Sequence, residues 1–516
     1  MQRKWWTLIT VNVAVFMLLL DITVVNVALP AIQEDLGASF TDLQWVVDAY
    51  ALALAALVLT AGSLADRLGR RRIFTWGLVI FTVASGLCGL ADNPTFLNLA
   101  RALQGVGGAA MFGVSLALIA QEFPSGKERG TAVGLYGATI GAAVAIGPLV
   151  GGALTDTLGW ESIFFLNLPI GIIAIGATLL YVAESRDPGA TRVDWAGLVT
   201  FSSSLFMLVL ALLRGNAEGW GSPLIVGLFA GATVLMALFL AIEGRVREPM
   251  LPLGLFKIRS FTGVQLAAFA ISGSQFALFL YITLYLQNIL GHTPFEAGIR
   301  YLPITVASFI FAPIAGALLA KVQARVLLSA GLMACGLGLV LLSGLDQGSE
   351  WTALLAGFLV GGAGIGLVNP VVADVALSTV PDEQSGMATG INDTFRQVGI
   401  AVGIAAWGAV FLARGESKVQ ELAAGTPAAT GDRPRQLVEA TSTGNLDQAL
   451  AGVPGPARET VADAAREGFL SGFNEILLLG GGLSFLGALL ALWLVRQSDI
   501  VRSDAETEAL LEPSAA

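Results

Sequence analysis

The chain has 516 residues, of which 55% are hydrophobic and 13% charged, and its formal net charge is −10. Soluble domains carry about 25% charged residues, so this composition excludes a soluble protein. The two cysteines, Cys88 and Cys335, both fall inside apolar stretches, so neither a disulfide framework nor a metal site is expected.

Fourteen apolar stretches follow one another along the chain. A helix of about 20 apolar residues crosses the hydrocarbon core of a bilayer, and β-barrel strands would alternate in polarity at every second residue. The sequence therefore predicts an all-α integral membrane protein. The predicted spans are 8–30, 44–64, 73–91, 95–120, 130–155, 163–183, 194–213, 222–242, 261–289, 297–320, 326–346, 351–378, 387–413 and 470–496.

Basic residues predict the orientation, because Lys and Arg in short loops favour the cytoplasmic side. If the N-terminus is cytoplasmic, the short external loops carry only Arg214 and Arg300. Both termini are then cytoplasmic, in a plasma membrane (the inner membrane of a Gram-negative cell), with a cytoplasmic tail at 499–516. The long segment 414–468 is external. Its residues 457–467 look like an amphipathic helix at the membrane surface, with a partly disordered loop as the alternative.

The second part of the sequence repeats the first. Glycine runs occur in spans four and twelve, similar polar segments precede spans five and thirteen, and the loop after span two has a degraded copy after span ten. The paired segments are 104–109 with 360–366, 124–134 with 381–390, and 62–72 with 316–325. Chance similarity of low-complexity Gly/Ala/Leu sequence is the alternative.

The repeat predicts the domain organisation, since spans 1–6 correspond to spans 9–14. We expect a six-helix bundle at 1–190, two inserted helices at 191–258 and a second six-helix bundle at 259–498, which includes the external loop 414–468. Two parallel halves around a central cavity are typical of transporters, with the binding site near the middle of the membrane.

The loop after span two, which we call the basic loop, has the sequence GSLADRLGRRR at residues 62–72. Gly62 allows close helix approach, and Asp66 is placed to face a helix N-terminus, where an anion is favoured. Pairing of the arginines with that acid would hold one conformation until the helices move. The predicted gating residues here are Gly62, Asp66, Arg67, Gly69, Arg70 and Arg71. Simple anchoring by positive charge is the alternative, but it does not explain the glycines and the aspartate.

Span five carries small residues at helical spacing, namely Gly137, Gly141, Ala145, Pro148 and Gly152. They share one helix face, and Pro148 removes a backbone hydrogen bond and bends the helix. Such a face suits a helix that slides against the other half, with ordinary close packing as the alternative.

The basic loop resembles the signature loop of the major facilitator superfamily. Four other segments resemble motifs of its fourteen-span drug/proton antiporter family: LDITVVNVALP at 20–30, LARALQGVG at 99–107, GPLVGG at 147–152 and FFLNLPIG at 164–171. The resemblance implies the major facilitator fold and proton-coupled export. It also implies that Gly147, Pro148, Gly151 and Gly152 prevent leak and set export direction. The sequence departs from the family at Trp160-Glu161-Ser162, where Trp-Arg-Trp is common, so a role for that arginine does not transfer.

Charged residues within spans mark function, because each costs about 2.5–3.5 kcal/mol on insertion scales. The candidates for proton and substrate coupling are Asp21, Arg101, Asp393, Arg396 and Asp48, although Asp48 is near a span end and interfacial solvation is the alternative. Asp393 and Arg396 lie three residues apart and are able to pair.

A proton carrier must exchange protons in the cellular pH range, and free aspartate, with a pKa of about 3.9, is too acidic for this. Apolar surroundings favour the neutral form of a carboxyl group, whereas a nearby arginine opposes it. Asp21 has no basic neighbour in its own helix and is the first candidate for proton and cation binding. Asp393 is the second, and we expect Asp21→Asn to abolish exchange without loss of expression.

The sequence carries no nucleotide-binding motif and no His/Cys/Glu constellation, so we expect neither a cofactor nor enzyme activity. The expected function is proton-driven export of lipophilic compounds, cationic drugs or dyes in particular, by a monomer that binds no nucleic acid. Export of a self-made antibiotic, siderophore or lipid is the alternative within this class. A non-transporting membrane receptor is the alternative from another class.

Overall fold

The computed structural model describes residues 2–38, 40–123, 126–186, 193–246, 249–319, 321–381, 384–451 and 453–500. These residues form helices and connecting turns, without a strand. Thirteen helices are long and apolar enough to cross a membrane. A further long helix, Gly126–Leu158, has no charged residue between positions 130 and 155 and lies at the fifth predicted span.

The spanning helices are numbered in chain order. They are α1 (Arg3–Leu36), α2 (Phe40–Leu68), α3 (Arg70–Gly89), α4 (Pro94–Glu122), α5 (Gly126–Leu158), α6 (Ser162–Tyr181), α7 (Trp195–Glu218), α8 (Pro223–Glu243), α9 (Arg259–Ile289), α10 (Phe295–Leu318), α11 (Ala324–Leu342), α12 (Trp351–Ser378), α13 (Ser385–Leu422) and α14 (Gly455–Leu494).

Local sequence signals set several helix ends. α1 stops at Gly37, which has φ 59° in the left-handed region that glycine tolerates best. α4 begins at Pro94 after Asn93, whose side chain accepts a hydrogen bond from the Phe96 N–H at 2.9 Å. The amide satisfies one of the backbone donors that a helix start leaves free.

Two bundles pack around separate apolar cores. The buried residues of one extended core all lie between 264 and 495, whereas two other cores draw on residues 8–182, joined by Ala373 from the second half. The glycine runs provide close packing: a Cβ on Gly107 would lie 2.5 Å from the Phe81 nitrogen, and one on Gly364 would lie 2.6 Å from the Cys335 nitrogen. These runs let α4 approach α3 and α12 approach α11.

The inserted helices α7 and α8 lie beside both halves. Apolar residues of α7 such as Phe201 and Leu205 share a core with Leu59 of α2 and Ile391 of α13. α8 packs on α7 and leaves most of its own surface exposed, as expected of a helix that faces lipid.

The segment 414–468, which we expected to be external, is largely helical rather than an irregular loop. α13 continues to Leu422, a short helix covers Arg433–Ser442, and α14 begins at Gly455. The stretch 457–467 is therefore the first part of α14 and not a separate surface helix. Its apolar residues Val461 and Ala465 are buried in the core of the second half, so protein covers the face that we expected to lie on lipid. From residue 501 onward, the predicted tail lies outside the described residues.

Candidate functional site

The most enclosed ion pair joins Asp21 of α1 to Arg101 of α4. Each residue is 1% exposed, and Arg101 Nη1 donates to Asp21 Oδ2 at 2.5 Å. Asp21 Oδ1 accepts from Gln104 Nε2 and Asn167 Nδ2, each at 2.9 Å. Arg101 Nε donates to the Val46 carbonyl at 3.0 Å. Both carboxylate oxygens thus have donors, and the opposite charge is in direct contact.

Aromatic and polar groups close this centre. The Arg101 guanidinium carbon lies 4.4 Å from the centre of the buried Tyr50 ring, within cation–π range. Asn167 also donates to Ser85 Oγ at 3.0 Å, and Ser85 in turn donates to the Phe164 carbonyl at 2.9 Å. Every one of these contacts lies within the first half.

Asp21 was the first candidate proton carrier because its own helix carries no basic neighbour, and this absence holds only within α1. Its basic neighbour comes from α4, eighty positions along the chain, and donates directly to the carboxylate. Gln104 and Asn167 were not predicted from the sequence as partners of Asp21. Polar amides inside apolar spans were the available signal.

Asp393 and Arg396 lie three residues apart, a spacing that allows an ion pair, but they do not form one in the structure. Asp393 is 2% exposed, and its Oδ2 has no hydrogen-bond partner. Arg396 does not contact it but donates from Nε to Asn392 Oδ1 at 3.2 Å and from Nη1 to Asn369 Oδ1 at 2.9 Å. Asn392 in turn donates to Gln265 Oε1 at 2.9 Å. Amide groups on α12 and α13 therefore bind Arg396, and Asp393 Oδ2 is left without a hydrogen bond.

Asp393 and Arg396 face a cavity between the two halves, which we call the polar chamber. Its lining residues come from α4 and α5 of the first half and from α12 and α13 of the second. They are Phe112, Leu116, Tyr136, Gly137, Ile140, Asn369, Ala373, Asp393 and Arg396. Asp393 thus lies where both halves meet, whereas Asp21 lies inside one half.

Asp48 belongs to neither centre. It is half-buried on α2, one turn after Gln44, which accepts from Arg214 Nη1 of α7 at 2.8 Å. No described hydrogen bond or ion pair joins Asp48 to Asp21 or Asp393. The structure places it beside the inserted helix instead.

The basic loop contacts the other half through Asp66. Its Oδ1 accepts from the Gly386 N–H at 3.1 Å, and its Oδ2 accepts from the Met387 N–H at 2.7 Å. Both donors lie in the first turn of α13, where the helix dipole and free N–H groups favour an anion. Arg70 Nε donates to the same Oδ1 at 2.9 Å, and both side chains are 5% exposed.

Paired glycines bring the halves together at this end of the bundle, which we call the basic end. A Cβ on Gly62 would lie 2.3 Å from the Gly386 carbonyl oxygen. The repeat-related contact is between α5 and α10, where a Cβ on Gly316 would lie 2.4 Å from the Gly130 carbonyl oxygen. Neither contact leaves room for a side chain.

The remaining residues of the basic loop link α2 to α3 and contact the segments that follow α6 and α8. Gly69 has φ 115°, in the region that favours glycine, and links α2 to α3. Glu184 Oε1 accepts from the Arg71 N–H at 3.0 Å, and Arg71 Nη1 donates to the Val182 carbonyl at 3.4 Å. Arg67 Nη2 donates to the Pro249 carbonyl at 3.1 Å.

A second contact between charges bridges the halves at the basic end. Arg129 Nε of α5 lies 3.7 Å from Asp374 Oδ1 of α12, with the side chains 8% and 23% exposed. This pair is not among the contacts predicted from the sequence. The basic end is therefore closed by Asp66 on α13 and by Arg129 with Asp374.

Glycines of α5 face two different neighbours, and the side chain of Ala145 lies outside the described part of the structure. A Cβ on Gly137 would lie 3.5 Å from Asn369 Cβ, and one on Gly141 would lie 3.6 Å from Ser308 Oγ, so both face the second half. Gly147 instead abuts α1, since its Cβ would clash with the Thr23 hydroxyl.

Gly151, a further glycine of the predicted gating motif of α5, also packs against α1. A Cβ on Gly151 would lie 3.0 Å from Val24 Cα of α1. Gly152 is buried, and the helix continues through Pro148, whose side chain lies outside the described part of the structure. The contacts described for Gly147 and Gly151 thus join helices of the first half, whereas Gly137 and Gly141 face the second half.

Comparison with known proteins identifies the family. The model of the Major Facilitator Superfamily matches residues 11–404. The tetracenomycin C resistance and export protein of Streptomyces glaucescens is 33% identical over 497 residues, which cover 95% of this chain and 91% of that protein. The multidrug resistance protein Stp of Mycobacterium tuberculosis (strain CDC 1551 / Oshkosh) is 38% identical over 407 residues, which cover 79% of this chain and 76% of that protein.

A solved structure supports the same assignment at the level of fold. The major facilitator superfamily proton:xylose symporter XylE aligns with a TM-score of 0.64 at 16% identity, over 99% of both chains. The family model, the relatives and the two packed bundles agree, and the chain belongs to the major facilitator superfamily.

Proposed function

We propose that this chain exports lipophilic drugs or antibiotics in exchange for protons, by alternating access between its halves. The printed functions of the relatives, multidrug resistance and antibiotic export, support export. The observation that carries proton coupling is Asp393, a buried carboxyl group with an unpartnered oxygen in a cavity that both halves line.

The environment of Asp393 gives exchange a physical basis. A buried carboxylate without hydrogen bonds is costly, and binding a proton removes its charge. A cationic or hydrogen-bond-donating group of a substrate stabilises the same oxygen. Proton and substrate therefore compete for one site, and release of one favours binding of the other.

Asp21 and Arg101 take a supporting role in this proposal. Their charges already compensate each other, and the contacts of Asp21 join α1, α4 and α6. We assign the pair to maintaining the first half as a rigid unit, and this reverses the order of candidates that the sequence suggested.

The gating contacts lie at the basic end, which we place in the cytoplasm of a cell whose plasma membrane contains the protein. The positive-inside rule supports this orientation, with both termini cytoplasmic. Loading from the cytoplasm requires the Asp66–α13 contact and the Arg129–Asp374 pair to separate. The proton gradient drives the cycle in a monomer, without a cofactor.

Proteoliposomes loaded with a pH-sensitive dye test the exchange. We expect wild-type protein to move protons when a lipophilic cation is added, and Asp393→Asn to abolish this movement. Asp463→Asn, on the exposed external segment, is the matched control. Substrate flux that persists in wild type after the gradient is collapsed would contradict proton coupling, and binding without accumulation would indicate a receptor.

Export of one dedicated antibiotic is the second candidate. The relative named for tetracenomycin C matches over 497 residues, whereas the multidrug relative matches over 407. Expression in a drug-sensitive host separates the candidates. Resistance to a single compound class favours the dedicated exporter, and resistance to several unrelated cations favours the multidrug exporter.

A further inference from the structure

A second cavity between the halves is uncharged and aromatic, and we call it the aromatic chamber. Its lining comes from α5, α9, α10 and α12. The residues are Gly141, Phe276, Phe279, Tyr301, Ile304, Thr305, Ser308 and Ile365. No charged side chain is among them, in contrast to the polar chamber.

Ser308 supplies the one hydrogen-bonding group of this cavity that lacks a partner. The residue is 3% exposed, and its Oγ has no hydrogen-bond partner. A Cβ on Gly141 would lie 3.6 Å from that oxygen, so the hydroxyl faces the bare surface of α5. The Thr305 hydroxyl, by contrast, donates to the Tyr301 carbonyl at 3.2 Å. An unpartnered buried hydroxyl is costly, and a ligand group would satisfy it.

The aromatic rings are arranged to receive another ring. Phe276 and Phe279 meet edge to face at 5.7 Å and 87°, and Phe279 and Tyr301 do so at 5.9 Å and 89°. Phe276 ends a π-helical turn at Ser272–Phe276, a distortion that often marks functional sites. The Tyr301 hydroxyl is already bonded to Thr283 Oγ1 at 2.9 Å.

The two chambers are neighbours along α5. Gly137 lines the polar chamber and Gly141 lines the aromatic chamber. Residues four apart share a helix face and are separated by about 6 Å along the axis. The two chambers therefore lie next to each other along one face of α5.

We propose that the substrate has two unlike ends, and that Ser308 and Gly141 select the uncharged one. An aromatic ring system fills the aromatic chamber, and one substituent on it hydrogen-bonds to Ser308 Oγ. The cationic or donor end reaches Asp393 in the polar chamber. This inference rests on the proposed export function and adds the chemical class of the substrate.

Three probes test the selection: (6-hydroxynaphthyl)propyl-trimethylammonium, the same compound without the hydroxyl, and decyltrimethylammonium. Wild type should transport the hydroxylated probe with a KM about 3- to 10-fold below that of its deoxy analogue. Ser308→Ala should remove this preference and leave the KM of the deoxy probe unchanged.

Gly141→Ala tests the space in the aromatic chamber. The added methyl makes ordinary contact with Ser308, so the fold tolerates it, and the KM of both naphthyl probes should rise while that of the decyl probe stays constant. Gly176→Ala on α6, where an added Cβ meets nothing within 4 Å, is the matched control.

Naphthyl fluorescence with purified protein separates the two ways to fail. Hydroxyl-dependent binding that Ser308→Ala removes, without gradient-driven flux, supports the aromatic chamber and contradicts the proposed function. Flux without preference for the hydroxyl, or equal effects of Ser308→Ala on all three probes, overturns the inference while export stands. A wild-type protein that neither binds nor transports the naphthyl probes also overturns it.

Discussion

Two aspartates of the membrane region, Asp21 and Asp393, differ in what surrounds them rather than in burial. The sequence predicts both as intramembrane acids, and their apolar flanks are sufficient for that. It does not predict that Arg101 of α4 pairs with Asp21, or that Arg396 hydrogen-bonds to Asn369 of α12 rather than pairing with Asp393, because packing between helices brings these groups together. Contacts between helices therefore decide which of the two aspartates is available for proton exchange.

Asp21→Asn should destabilise the protein, contrary to the expectation from sequence that it stays intact. Removing one partner of a buried ion pair leaves the other charge uncompensated, at a cost of about 3–5 kcal/mol. We expect the apparent unfolding temperature in detergent to fall, and Asp21→Asn/Arg101→Met to recover part of the loss. An unchanged unfolding temperature for the single variant would show that the pair does not hold α1 to α4.

Among helices, the best predicted feature is the contact of the basic loop with a helix N-terminus. Glycine and aspartate at fixed spacing indicate close approach and an anion site, and the structure identifies the helix as α13. Other features at this scale were not predictable. The π-helical turns of α9 and the continuation of α14 through 457–467 depend on packing partners, since the local sequence there fits ordinary helix or surface helix equally well.

Asp66→Asn should shift the protein toward the state that is open at the basic end. Hydrogen bonds to a charged group contribute about 1.5–3 kcal/mol, which corresponds to a roughly 10- to 100-fold change in the ratio of the two states. Spin labels on Trp76→Cys and Val326→Cys report the separation of the halves, since both positions are exposed and the native cysteines are buried.

The control for Asp66→Asn is Glu439→Gln, which removes an exposed ion pair within the segment 414–468. It should leave the distance distribution as in wild type. An Asp66→Asn distribution that also matches wild type would exclude Asp66 as a gating residue.

At the scale of the whole molecule, two contacts close the basic end. The internal repeat relates their positions, but the residues that form them differ. Both use a glycine pair, Gly62 with Gly386 and Gly130 with Gly316. The basic loop adds Asp66, whereas its degraded copy has Ala320 at that position. Arg129 and Asp374 supply the charge on that side instead, so different chemistry closes the two sides.

A charge exchange tests whether the second contact acts as a gate. Arg129→Asp alone should place two acids together and favour the open state, because like charges at close range repel. Arg129→Asp with Asp374→Arg should restore much of the closed population, as measured with the same spin-label pair. Substrate-induced proton movement should fall with the single variant and recover with the double. If the double variant behaves like the single one, the pairing itself does not control closure, and the Asp66 and glycine contacts must account for it.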